Sequence, residues 1–349
     1  MSPAMTDQRF NPHDSLFRSL LADADDAASE FRPVVAAHAS PEFAGRIDWR
    51  HMELQHCSFV DPELSNRYGD LLFRTTLDDR PAFLYVLAEH QSSSDRFMAL
   101  RMLEYMVNIW WRYLDQEETE RTRAREAGEP VPPPPRMLPA IIPLVVHNTA
   151  TGRAWSAPLQ FTDLIDLDAA AKTAIAPYMP QFRFLLDDVS RLGLEALRER
   201  DLTPAARTVL VLQQIVPGND QVVEDILKWL ADDLRALEAG PNAARKLQIV
   251  ISYVMKVGDP DPGKLAAGMA QIGPRAEEAT MTLAERLEAR GREEGRAEER
   301  AAVLIELMTD RFGTLPVATI QRVESASPDQ LRAWTKRVLR AQTIEEIFA

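Results

Sequence analysis

Cysteine is nearly absent from this chain: Cys57 is the only one among 349 residues. An internal disulfide and a cysteine-based zinc cluster are therefore excluded, and a reducing compartment suits such a composition. A single cysteine of this kind is expected to be a buried, inert one. No apolar run approaches the ~18 residues needed to cross a bilayer. The first residues, Met1 to Gln8, lack the basic-then-apolar order of a secretory signal. These absences predict a cytoplasmic protein with no membrane partner. Positive charge is in deficit: 40 Lys and Arg face 53 Asp and Glu, a net charge of -13. That argues against a general nucleic-acid coat protein, whose affinity rests on phosphate neutralisation. It leaves room for an enzyme with a local basic patch. The six histidines show no metal-binding spacing. There is no glycine-rich phosphate loop, serine nucleophile elbow or nicotinamide fingerprint, and no solenoid repeat.

Apolar residues are well supplied, at 46% of the chain, enough for a sizeable core in two or three domains. Residues 1–12 read as a disordered lead. Asp14 is the expected N-cap of a helix through Leu16, Leu20 and Leu21. A second helix, Asp26 to His38, contains Pro33, which should kink or split it. A short strand is expected within Leu54–Val60. Two further runs, Leu71–Leu77 and Phe83–Ala88, flank a turn at Asp78-Asp79-Arg80-Pro81 and read as a hairpin. Met98, Met102, Tyr105, Met106, Ile109 and Tyr113 then recur at helical spacing, predicting a long helix over about Asp95–Glu120 with a core-facing stripe. Pro132 to Pro135 make a stiff loop, and Ile141–Val146 a buried strand. Pro143 in that strand suits an edge, a bulge or the start of pairing. The order αβββαβ predicts an α/β (α+β) fold, a mixed sheet covered by helices. Thr162–Ile272 reads as mainly helical, Ala276–Phe312 as one long charged helix interrupted at Gly291 and Gly295, and Pro316–Ala349 as a compact helical piece. The expected division is a core at 13–160, a helical extension at 161–275, a charged helix or linker at 276–312 and a small helical domain at 313–349.

The chemistry concentrates on the hairpin. Asp70 opens its first run, and Glu89 and Gln91 close its second. Pairing brings the start of one beside the end of the other. Two carboxylates and an amide oxygen meeting at a strand end suit a hard divalent cation. Glu89 and Gln91, two apart on a strand, share a face, and Asp70 can reach it from the neighbouring strand. The blander reading makes them strand-end acids in solvated turns, and spacing alone favours it. His90 alternates to the opposite face as a structural residue. Asp14 and Glu30 are helix acids for which capping or solvation is the simpler role. Arg96 and Arg101 follow the motif closely enough to meet a phosphate, although ordinary surface charge is the simpler account.

Asp70-Leu-Leu-Phe, Tyr85-Val-Leu-Ala-Glu-His-Gln-Ser-Ser-Ser-Asp95 and Met98-Ala-Leu-Arg-Met-Leu-Glu-Tyr105 resemble the Rpn family of recombination-promoting nucleases, annotated among putative transposases in the PD-(D/E)XK nuclease superfamily. His13-Asp14-Ser-Leu-Phe-Arg18 resembles that family's opening motif, and Leu138–His147 with Trp155 its later strand. Arg290-Gly-Arg-Glu-Glu-Gly-Arg296 resembles its charged tail repeats, and the Phe312–Phe348 region a small helical domain often appended there. The resemblance implies a restriction-endonuclease-like core and Mg²⁺-dependent cleavage of DNA, with Mn²⁺ or Ca²⁺ as other candidate ions. It makes Asp70 and Glu89 catalytic metal ligands, adds the His90 backbone carbonyl as a ligand, and places Gln91 where the wider superfamily has Lys. An amide can hold a water there but supplies no positive charge. His147-Asn148-Thr149 departs from the family pattern of an aromatic and a glycine. The rival expectation is a catalytically inactive nuclease fold acting as an interaction module. The C-terminal helices are a candidate surface for homo-oligomers.

Overall fold

A computed structural model describes residues 11–55, 70–89 and 94–348. Three helices come first: α1 (Pro12–Leu20), α2 (Ala24–His38) and α3 (Pro41–Gly45). The cap of α1 is Asn11, whose side chain accepts from the His13 amide at 3.0 Å. Asp14 therefore lies in the first turn instead of capping it, because Pro12 already occupies the first helical position that proline prefers. α2 runs through Pro33 unbroken. Pro33 is exposed, so its ring extends to the solvent side of the helix.

A five-stranded sheet follows, in the spatial order β1 (Glu53–Gln55), β2 (Leu71–Leu77), β3 (Arg80–Glu89), β4 (Ala140–His147), β5 (Leu185–Asp188). β1, β2 and β3 pair antiparallel, and β3, β4 and β5 parallel. The expected strand over Leu54–Val60 is described only as far as Gln55, and Cys57 lies outside the described residues. The hairpin turn is tighter than predicted. It uses only Asp78 and Asp79, both left-handed at φ 48° and 59°, so Arg80 and Pro81 already belong to β3. Two left-handed residues match the right-handed twist of the flanking strands, and aspartate tolerates that backbone. Arg46 clasps the Asp78 carboxylate and holds its pKa down. Pro143 falls one residue before β5 begins to pair, where β4 is still the edge and a missing amide is tolerated.

Between β3 and β4 runs the 30-residue helix α4 (Met98–Ala127), ended by left-handed Gly128. Met98, Met102, Tyr105 and Ile109 bury against Leu72, Phe83, Tyr85, Leu87 and Val145 of the sheet. Each such side chain contributes about 1.5–3 kcal/mol of burial. Leu71, Phe73, Leu84 and Val86 alternate to the opposite face and are buried as well. The order α, β, β, β, α, β expected from the sequence is the order found, in a mixed α/β architecture with a helical extension.

That extension comprises α5 (Ala169–Ile175), α6 (Leu194–Glu199), α7 (Pro204–Ile215), α8 (Val222–Ala239), α9 (Ala243–Val257) and α10 (Pro262–Ala270). β5 lies inside the stretch read as mainly helical. α7 packs on α1 and α2, and α9 on α1, so the extension and the sheet form one unit, residues 1–280. α11 (Pro274–Phe312) passes both Gly291 and Gly295 without a break. A second unit, residues 281–349, gathers α12 (Val317–Glu324), α13 (Pro328–Val338) and α14 (Ile344–Phe348) around Leu304, Met308, Leu331 and Trp334. Ser327 and Gln330 close a capping box at the start of α13, with Pro328 at its first position.

Candidate functional site

Asp70 stands one residue before β2 and, by extension of the hairpin register, opposite Leu87. It is 9% exposed. The Tyr85 hydroxyl donates to its Oδ2 at 2.7 Å, and the Tyr85 ring is in turn fixed against Tyr105 at 5.3 Å. Both tyrosines are buried. Glu89 ends β3, two residues beyond Leu87 and paired with His147 of β4. The backbone thus brings Asp70 and Glu89 to the same end of the hairpin. The Glu89 side chain, and His90 and Gln91 altogether, lie outside the described residues.

Asp70 opens into a cleft of about 430 Å³ lined also by Asp14, Ser15 and Arg18 of α1 and by Arg245 of α9. From the sequence alone Asp14 reads as a capping or solvated acid, and Arg18 and Arg245 carry no signal of a role. Only the HDSLFR stretch signalled that α1 belonged here. Glu30 is elsewhere, and it is not solvated. It is fully buried, joined by Arg200 (3.1 Å), which also bonds Asp187 of β5 (3.0 Å). Burial, together with the Asp187 carboxyl beside it, pushes its pKa well above the ordinary carboxylate range. Arg101 pairs with Asp95 at 2.7 Å, and Arg96 is exposed in the turn before α4; neither lines the Asp70 cleft.

A chain of polar contacts holds α1 against this cleft. His13 Nδ1 meets the Tyr253 hydroxyl of α9 at 3.0 Å, and the His13 carbonyl accepts from Gln213 of α7 at 3.3 Å. Burial lowers the His13 pKa and raises that of Tyr253, so the pair is neutral at pH 7. Gln213 in turn accepts from Asn148 at 3.1 Å, and Asn148 also donates to the Leu210 carbonyl. The departure at His147-Asn148-Thr149 thus serves a purpose: Asn148 fastens the end of β4 to α7. His147 is buried, with Nε2 at 3.0 Å from the Arg153 carbonyl and Nδ1 without a hydrogen-bond partner among the described residues.

Chemically, the cleft offers carboxylates to a hard cation at one end and guanidinium groups to phosphate oxygens beside them. A buried acid whose position is set by a buried phenol is a fit donor for such an ion. No cluster of three or more metal-ligating side chains occurs among the described residues.

The molecule is a mixed α/β protein whose hairpin end carries Asp70 and Glu89 and whose sheet is joined to a helical extension. The family described as putative transposase, YhgA-like, matches residues 11–242, and the chain belongs to that family. It is similar to the recombination-promoting nuclease RpnA of Escherichia coli (strain K12), 26% identical over 327 residues, or 93% of this chain and 98% of that protein. RpnD of Escherichia coli O157:H7 is 25% identical over 280 residues, covering 79% and 94%. The inactive recombination-promoting nuclease-like protein RpnE of Escherichia coli (strain K12) is 22% identical over 326 residues, covering 91% and 97%. No solved structure matches.

Proposed function

We propose that this chain is a metal-dependent DNA endonuclease of the PD-(D/E)XK type, acting in recombination. The observation that carries the reading is Asp70, a buried acid oriented by Tyr85 at the mouth of a cleft, at the hairpin end that Glu89 also occupies. The names of RpnA and RpnD support it. Asp70 and Glu89 would hold Mg²⁺, with the His90 carbonyl as a further ligand. A cation there would neutralise phosphate charge and acidify a bound water. Tyr85 keeps Asp70 in place. Gln91 orients a water. Arg18 and Arg245 accept the phosphate backbone beside the cleft.

Purified protein should nick supercoiled plasmid with Mg²⁺. Asp70→Ala should lower that rate by two orders of magnitude or more, on the scale of removing one transition-state charge contact. Equal nicking by wild type and variant would sink the reading. The alternative, an inactive nuclease fold serving as an interaction module, draws on RpnE and on the amide at position 91. Calorimetric titration separates the two, since the module predicts no Mn²⁺ heat that Asp70→Ala removes.

A further inference from the structure

The Asp70 cleft does not end at Arg245. A second cleft of about 390 Å³ shares Ser15, Ser19 and Arg245 with it and continues along α9 past Gln248 and Ser252 to Lys256. Positions 245, 248, 252 and 256 recur at helical spacing, so one face of α9 lines the second cleft and reaches the first through Arg245. Among the described lining residues the acids are Asp14 and Asp70, both at the first cleft, while Arg18, Arg245 and Lys256 supply cations. Arg245 and Lys256 are exposed. In a chain of net charge -13 a run of cations of this kind favours the approach of a polyanion. Arg245 and Lys256 lie about 16 Å apart along the helix, roughly five phosphate steps of a duplex strand. Hydroxyl and amide groups between them are the side chains that complement phosphate and sugar oxygens.

We infer that the α1–α9 groove is a track for the phosphate backbone of DNA, leading from Lys256 through Arg245 to the acids at Asp70. The inference rests on the nuclease reading and adds to it the surface that holds the substrate. The track reads no sequence, because its groups meet backbone atoms only.

The test is fluorescence anisotropy of the full-length protein with a short labelled duplex in EDTA, where nothing is cut, over a series of salt concentrations. The double variant Arg245→Ala/Lys256→Ala should bind on the order of tenfold more weakly at low salt, and the slope of log affinity against log salt should fall by about 2. A pair of equal charge elsewhere, Arg32→Ala/Arg235→Ala, both exposed, should bind like wild type. Wild-type affinity and slope in the groove variant would overturn the track, as would equal loss in the control pair or no binding by wild type. Undiminished nicking by Asp70→Ala is instead the failure of the nuclease reading, scored in a separate assay. The two failures are thereby distinguishable.

Discussion

Tyr85 is the residue through which the core reaches the candidate site. Its ring is part of the cluster that α4 covers, and its hydroxyl is spent on Asp70. Tyr85→Phe keeps the ring and removes the donor. The buried Asp70 oxygen then loses a partner, at a cost of about 1–3 kcal/mol in stability. As the partner of a metal ligand, the hydroxyl should be worth about 10–100-fold in metal affinity. The expected result is a nicking rate that needs more Mg²⁺ but recovers toward wild type at saturation, read from a Mg²⁺ titration beside a urea melt. A rate that stays low at every Mg²⁺ concentration would detach Tyr85 from metal binding.

Among the elements, α2 and β5 are joined by Glu30, Arg200 and Asp187. The folded state holds the Glu30 proton more tightly than the unfolded chain, whose value is near 4.5. The stability linked to that proton is complete below the unfolded value and is lost as pH rises through the raised folded one. Glu30→Gln carries no such proton, so its Tm should gain on that of wild type as pH climbs from about 4.5 toward neutrality. A Tm difference that is flat with pH would show that Glu30 stays ionised. The hairpin was legible because two apolar runs flanking an Asp-Asp turn are local signals, and α4 because its stripe repeats over three turns. β5 was not: Leu185–Asp188 is four residues long, half-buried, and set among helical segments. The cap of α1 differs from the expected Asp14 because the signal lies in Asn11-Pro12, where proline takes the first helical position. Of the candidate site, the meeting of positions 70 and 89 at one hairpin end could be read from two motifs, while the Glu89 side chain lies outside the described residues. Arg245 could not, since only tertiary packing brings α9 to α1.

At the scale of the molecule, residues 1–280 contain the sheet, the cleft and the groove, and residues 281–349 pack a core of their own. A chain ending at Thr280 should therefore keep plasmid nicking and duplex affinity within about twofold of full length, a change of about 0.4 kcal/mol, since it loses none of the described lining residues. A large loss in that truncation would assign the C-terminal unit a part in the reaction. The tie between α1 and α9 also sets a clock. His13 waits for Gln213 and Tyr253, 200 and 240 residues downstream. At ribosomal speeds of about 5–20 residues per second, that delay is roughly 10–50 s. α1 leaves the ribosome well before the helices that seat it, so a nascent chain holds Asp14 and Asp70 without the α9 wall of the cleft. A cell making this protein would be exposed to the finished site only after α9 has emerged.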